Sequence, residues 1–85
     1  MNIEVIFFGR IRDLATRQRV VSLAEGSRLI DLIELLNKEY GEDFRSENNS
    51  IQIMINGNYH NLLTEDDIPL KGGDVVSILP ILVGG

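Results

Sequence analysis

The sequence predicts one α+β domain in which a mixed sheet of four to five strands wraps around one main helix. Three observations indicate this fold: one segment with helical periodicity, several short segments with strand alternation, and an Asn-Gly turn signal between two of them. The chain has 85 residues, of which 44% are hydrophobic, so we expect one hydrophobic core and one domain.

The first half of the chain contains two predicted strands and the helix. Residues 2–8 alternate, and because Ile6 and Phe8 make the second face apolar as well, this strand is predicted to be central. Residues 17–23 are predicted to pair with it antiparallel. Ser27 is the predicted N-cap of a helix with a wide apolar stripe, and Gly41 is its predicted left-handed end.

The second half is predicted to contain the remaining strands. Residues 51–56 alternate and end at Asn56-Gly57, which favours a type I′ hairpin turn and a short return strand over 58–60. Residues 64–70 indicate a capped turn and residues 71–74 a tight turn. Residues 75–79 are the last predicted strand, which Pro80 ends. This order is that of a β-grasp fold, so we expect a domain over 1–79 and a flexible tail over 80–85.

Composition argues against several classes of function. The net charge of −5 disfavours nucleic acid, which is bound by clustered Lys and Arg. The chain has no cysteine, and its single histidine, His60, lacks a ligand motif, so we expect neither a thiol nucleophile nor a metal site. No apolar run is long enough to span a bilayer and no basic leader precedes the first strand, so we expect a cytoplasmic protein without a membrane anchor.

The most informative residues are the last two, Gly84 and Gly85. With glycine at about 7% of residues, chance gives such a pair in roughly 0.5% of chains. Glycine has no Cβ, so a backbone ending in two glycines can thread a narrow channel. We therefore predict that the carboxylate of Gly85 enters the active site of another protein.

The preceding residues fit the same prediction. Pro80 sets the direction of the tail, and six residues from Pro80 onward reach at most about 20 Å. Ile81, Leu82 and Val83 are apolar where a free tail would be polar, which favours a groove on a partner over folding back onto the sheet edge.

A C-terminal carboxylate is ionised at neutral pH and is then a poor electrophile. It has to be activated, and an acyl-adenylate made from ATP is the expected form. The chain has neither a P-loop nor a GxGxxG motif, so a separate enzyme must use the ATP. A sulfur donor could then convert the adenylate to a thiocarboxylate, or an amine could convert it to an amide.

The segments VIFFGRIRDLAT, IMINGN and LKGGDVVSILPILVGG resemble the MoaD/ThiS family of ubiquitin-like sulfur carriers, and MoaD, the small subunit of molybdopterin synthase, in particular. The resemblance covers essentially the whole chain. It implies that an E1-like enzyme of the MoeB/ThiF type adenylates Gly85 and that a sulfur donor protein supplies the thiocarboxylate sulfur. The tail would then enter a MoaE-type large subunit and donate sulfur to the pterin precursor of the molybdenum or tungsten cofactor.

By the same resemblance, Arg12, Leu62 and Leu79 would face the partner beside the tail, and the chain would not be catalytic alone. Two positions depart from the pattern: Ile81 stands where MoaD endings commonly have a second proline, and Thr16 where the family often has glycine. These departures leave open a carrier for another pathway, such as thiamine thiazole synthesis or tRNA thiolation. The sequence is also compatible with a ubiquitin-like modifier joined to lysines and with a plain interaction domain.

Overall fold

The computed structural model describes residues 1–8, 18–41, 51–61, 64–65 and 67–80. The described elements follow one another in the predicted order of two strands, a helix and three strands. They are β1 (Asn2–Phe7), β2 (Gln18–Ser22), α1 (Leu29–Tyr40), β3 (Ile51–Ile55), β4 (Asn58–His60) and β5 (Val75–Pro80).

The strands form one mixed sheet in the order β2-β1-β5-β3-β4. β1 pairs antiparallel with β2 and parallel with β5, with Glu4 opposite Val75 and Phe7 opposite Ile78. β3 pairs antiparallel with both β5 and β4. The predicted β-grasp arrangement and the central position of β1 are therefore confirmed.

The core lies between α1 and one face of the sheet. Alternate strand residues and the apolar stripe of the helix supply it, as their periodicities predict. Its buried side chains are Ile3, Val5, Phe7, Val21, Leu29, Leu32, Ile33, Leu36, Ile53, Ile55, Leu70, Val76 and Ile78. Met1, Leu23, Leu35, Tyr40 and Ile68 pack against the cluster at its margins.

The start of α1 differs from the prediction, because Arg28 and not Ser27 is the N-cap. The Arg28 N–H donates to Asp31 Oδ2 at 2.8 Å, which satisfies the cap from within the first turn. Ser27 instead lies beside the bridge between Arg28 and Pro69. Its carbonyl accepts from Leu70 N–H at 3.0 Å, and its own hydroxyl donates to Ala24 O at 2.7 Å. The predicted end at Gly41 is confirmed, with φ of 67°.

A polar and aromatic cluster ties the edge strand β2 to the end of the helix. Arg19 donates hydrogen bonds to Glu39 and to the Tyr40 hydroxyl, and its guanidinium lies 5.8 Å from the Tyr40 ring centroid. The Tyr40 ring meets the buried Phe7 ring edge to face at 5.7 Å. The hydrogen bond to Glu39 is the largest cause that raises the pKa of Arg19 above its ordinary value, and the hydrogen bond to Tyr40 is the second.

A second cluster, which we call the turn clamp, joins the β3–β4 turn to the start of β5. Asn56 Nδ2 donates to Asp74 Oδ1 at 3.0 Å, and Val75 N–H donates to Asn56 Oδ1 at 2.9 Å. Asp74 is buried, and its other carboxylate oxygen accepts from Lys71 N–H at 2.9 Å. The predicted left-handed hairpin turn is confirmed, with φ of 51° at Asn56 and 87° at Gly57.

The end of β5 also differs from the prediction. The last strand extends one residue beyond the prediction, to Pro80, which pairs in register with Ile51. His60 is half-buried, and its Nδ1 lies 3.9 Å from Glu65 Oε1. The segments 10–16 and 42–50 lie outside the described residues. Within the described ranges, no helix is long and apolar enough to cross a membrane.

We expect replacement of Leu36 by alanine to lower the free energy of unfolding by about 2–5 kcal/mol, because Leu36 is fully buried between helix and sheet. Glu34, on the exposed side of the same helix, is the matched control: Glu34→Ala should change stability by less than about 0.5 kcal/mol. Urea denaturation of both variants measures the difference. Equal losses would contradict the placement of the helix.

Candidate functional site at the end of the last strand

The predicted tail leaves the domain from the middle of the sheet. β5 is the third of five strands and has a neighbour on each side, β1 in parallel and β3 in antiparallel orientation. Strand β5 is therefore held by two ladders along its length. The start of the tail has a defined position and direction relative to the domain.

Pro80, which has no backbone N–H to donate, occupies the last position of β5. The Asn56 N–H donates to Val75 O, so the odd-numbered residues of β5 direct their backbone N–H and C=O groups to β3. Phe8 N–H donates to Ile78 O at 3.0 Å, so even-numbered residues direct theirs to β1. The nitrogen of Pro80 therefore faces the β1 side, beyond the hydrogen bond from Phe8 to Ile78, so the missing N–H falls at the end of the β1–β5 ladder.

The sheet face that points away from α1 carries a group of apolar side chains around the end of β5. Val76 and Ile78 are buried under the helix, so Leu79 points to the opposite face. Phe8 follows in the same register and lies beside Leu79 across the β1–β5 pair. Met54 and Tyr59 form a cross-strand pair farther along this face, where Ser77 of β5 lies between Ile6 and Met54. We call Ile6, Phe8, Met54, Tyr59 and Leu79 the outer apolar patch.

The outer apolar patch is accessible to solvent. Phe8 is 40% exposed and Tyr59 64% exposed, while Ile6, Met54 and Leu79 are half-buried. The patch contains two aromatic rings and a methionine, which are enriched where proteins bind other proteins. Such a composition is typical of a binding surface. Among the described residues, no three His, Asp or Glu side chains are grouped as metal ligands would be.

The structure describes only part of the predicted site. Leu79 lies in β5 on the outer face, one residue before Pro80, and the strand carries both to the start of the tail. The other predicted residues lie outside the described residues: Arg12, Leu62, Ile81, Leu82, Val83, Gly84 and Gly85. Their roles in partner binding and in the carboxylate chemistry remain predictions.

Sequence reasoning did not assign Phe8, Met54 and Tyr59 to the site. The signal for Phe8 was available, because the apolar second face of residues 2–8 indicated that something must cover it. We expected that cover inside the domain, whereas Phe8 is 40% exposed. Met54 and Tyr59 become neighbours only through the hairpin register of 54 with 59, which the Asn56-Gly57 turn sets.

The described architecture recurs in solved structures with sequence similarity. The Pyrococcus furiosus protein named as a molybdopterin converting factor, subunit 1, is 31% identical, with 95% of this chain and 98% of that chain covered at a TM-score of 0.78. Small archaeal modifier protein 1 from Methanosarcina acetivorans is also 31% identical, with 99% and 96% covered at a TM-score of 0.75.

A third similar structure is a complex of subunits 1 and 2 of the molybdopterin-converting factor from Helicobacter pylori. The matched chain is 29% identical, with 100% of both chains covered at a TM-score of 0.65. Among curated protein sequences, none matches this chain at a significant level.

The model of the ThiS family matches residues 5–85, which includes all of the described strands β2 to β5, the helix, and the two C-terminal glycines. The match spans nearly the whole chain, and the sheet order agrees with the ubiquitin-like β-grasp fold of the similar structures. The chain therefore belongs to the ThiS family, within the MoaD/ThiS group of sulfur carriers and ubiquitin-like proteins.

Proposed function

We propose that this protein is a sulfur carrier whose Gly85 carboxylate is adenylated and converted to a thiocarboxylate, which then donates sulfur in molybdopterin biosynthesis. The observation that supports the proposal best is the position of β5. The strand is central, its end pairs with β3 as far as Pro80, and the half-buried Leu79 and the exposed Phe8 provide an apolar surface where the tail begins. The family match, which extends through residue 85, supports the role of the tail itself.

The chemistry requires a separate activating enzyme of the E1-like, MoeB/ThiF type. A Gly85 carboxylate oxygen would attack the α-phosphorus of ATP, and pyrophosphate would leave. The resulting acyl-adenylate would be attacked at its carbonyl carbon by the outer sulfur of a persulfide on a donor protein, and AMP would leave. A second thiol on a partner would then reduce the acyl disulfide, releasing the thiocarboxylate and forming a disulfide with the donor. The carrier would contribute the carboxylate and the docking surface, and the partner would contribute the nucleotide site. Because activation consumes ATP, we expect the protein to act in the cytoplasm.

Two of the similar structures support the molybdopterin pathway. The proteins from Pyrococcus furiosus and Helicobacter pylori are named as subunit 1 of a molybdopterin converting factor, and the latter is in complex with subunit 2. A large subunit of the MoaE type is accordingly the proposed acceptor of the tail. The tail residues Pro80, Ile81, Leu82 and Val83 would lie in the groove of the large subunit. Arg12 and Leu62 would contact the large subunit beside the tail.

A second function has its own support. The Methanosarcina acetivorans structure, at 31% identity, is named as a small archaeal modifier protein. In that case an amine of another protein would attack the same adenylate and form an amide. A ThiS-type carrier for thiamine thiazole synthesis uses the same thiocarboxylate and differs only in the acceptor. The two types of chemistry, sulfur transfer and conjugation, can be separated by mass.

We expect the protein to gain the mass that replacement of one oxygen by sulfur brings, when it is incubated with an E1-like enzyme, ATP and a sulfide source. Deletion of Gly85 should abolish the gain, because the reacting carboxylate would be displaced. Asn58→Ala, an exposed change on β4, is the control that should react normally. Intact-mass spectrometry measures the product. High-mass conjugates without the sulfur adduct would favour the modifier. If neither the sulfur adduct nor conjugates form, both functions are refuted.

We expect Phe8→Ser to weaken binding to the activating enzyme by about tenfold or more, since exposed aromatic residues at interface centres often dominate binding energy. Val20→Ser is the matched control. Val20 is 64% exposed on the same sheet face but pairs with Glu4, toward the start of β5. Calorimetric titration of both variants, with melting curves to verify folding, provides the comparison. Equal affinities for Phe8→Ser and the parent would remove the outer apolar patch from the interface.

A further inference from the structure

The dipeptide that makes the β3–β4 turn is also the one in the chain that is most prone to deamidation of its asparagine side chain. Asn56-Gly57 is the single Asn-Gly pair in the sequence. In such a pair the backbone nitrogen that follows asparagine is poorly shielded, because glycine has no Cβ. That nitrogen can attack the asparagine side-chain carbonyl when the two meet. The turn signal that favours the fold therefore carries a chemical liability.

We propose that Asn56 is a deamidation site that the turn clamp keeps unreactive, so that it is modified only when the turn opens. In the reaction the Gly57 nitrogen forms a bond to Asn56 Cγ, its proton passes to water, and the side-chain amide leaves as ammonia. Water then opens the resulting succinimide at either carbonyl and yields aspartate or isoaspartate. The reaction requires no oxidant, reductant or enzyme.

The turn clamp occupies both polar atoms of the reactive side chain. Asn56 Nδ2 donates to Asp74 Oδ1 at 3.0 Å, and Asn56 Oδ1 accepts from Val75 N–H at 2.9 Å. Both partners lie on the chain entering β5, so the side-chain amide is held against β5. For Cγ to meet the Gly57 nitrogen, the side chain has to leave both partners. The two hydrogen bonds therefore oppose the movement that the reaction requires.

The backbone and the surroundings reinforce this restraint. Asn56 N–H donates to Val75 O at 2.9 Å, so the residue is attached to β5 through its backbone as well as its side chain. Asp74 is only 4% exposed and its second oxygen is held by Lys71 N–H, so the acceptor of the Asn56 amide cannot move away easily. The turn can open only by breaking a connected set of hydrogen bonds.

The product would not restore the clamp. An aspartate at position 56 places a second carboxylate against Asp74, where the structure has an amide donor. Leaving the Asp74 oxygen without its donor and adding a like charge are both unfavourable for a buried group. Isoaspartate also inserts a backbone carbon into a two-residue turn whose flanking residues, 55 and 58, are in register. Either product should favour further opening.

We expect the folded protein to deamidate at residue 56 at least about tenfold more slowly than the same chain in denaturant at equal pH and temperature, since two ordinary hydrogen bonds reduce the open form to a few per cent. Peptide mapping by mass spectrometry locates the modified residue, and Asn58, also in the hairpin but followed by tyrosine, is the internal control. Equal or faster reaction of the folded chain at Asn56 would overturn the proposal.

Loosening the clamp should raise the folded-state rate. Asp74→Asn replaces the acceptor of the Asn56 amide, so we expect faster deamidation of the folded variant and an unchanged rate in denaturant. Lys71→Ala is the control, because only the backbone of Lys71 takes part in the clamp. A folded Asp74→Asn protein, verified by circular dichroism, that reacts at the parent rate would contradict the proposal. If this variant does not fold, the comparison of the parent with its denatured form decides.

The product can be tested directly. Asn56→Asp should lower Tm by about 5 °C or more, because it loses a hydrogen bond and gains a repulsion. The double variant Asn56→Asp with Asp74→Asn exchanges the amide and the carboxylate. It should recover most of the loss, because position 74 then donates to position 56 and still accepts from Lys71 N–H. An unchanged Tm in the single variant would show that the product is harmless and would overturn this part of the proposal.

Discussion

The insertion of β5 between β1 and β3 is the constraint on which the rest of the structure depends. Without β5 the remaining strands are two separate pairs, β1 with β2 and β3 with β4. Val76 and Ile78 occupy the centre of the sheet face under α1, and both are fully buried. The parallel pairing of β1 with β5 joins the two ends of the chain, so the central pair of the sheet is also the most distant in sequence.

The two polar clusters secure that arrangement from different sides. At the start of β5, the turn clamp fixes the hairpin to the strand through Asn56 and Asp74. At the sheet edge, Arg19 joins β2 to the last turn of the helix through Glu39 and Tyr40. The second cluster does reach the end of β5 that carries the tail, because Tyr40 packs on Phe7, which pairs with Ile78. It does so on the face under the helix, whereas Phe8 and Leu79 lie on the outer face, so this cluster and the candidate docking surface occupy opposite faces of the sheet.

Most of the fold could be predicted from periodicity. The order of elements, the hairpin at Asn56-Gly57 and the end of the helix at Gly41 all follow from local patterns, and the structure confirms them. The helix start could not be predicted from Ser27, because a bridge between residues 28 and 69 holds that part of the chain. Such a bridge joins segments about forty residues apart, and local sequence contains no signal for it.

The candidate site divides in the same way. The terminal glycines and the resemblance of the whole chain indicated the tail chemistry, and the ThiS family match agrees with that resemblance. The outer apolar patch could not be predicted as a unit, because its members come from separate strands and one position beyond β1 that only the sheet register brings together. Leu79 was the one member assigned from sequence, and the family resemblance supplied that assignment.

The central position of β5 also has a consequence for the timing of folding during synthesis. β5 is the last of the described elements to be made, yet the sheet has no centre until it pairs. A ribosome that has released only residues 1–70 would expose the apolar faces of two unpaired hairpin units and a helix. The nascent chain therefore cannot bury these apolar faces in its own sheet until Pro80 has left the ribosome. Folding then proceeds through contacts that are largely non-local and slow to form.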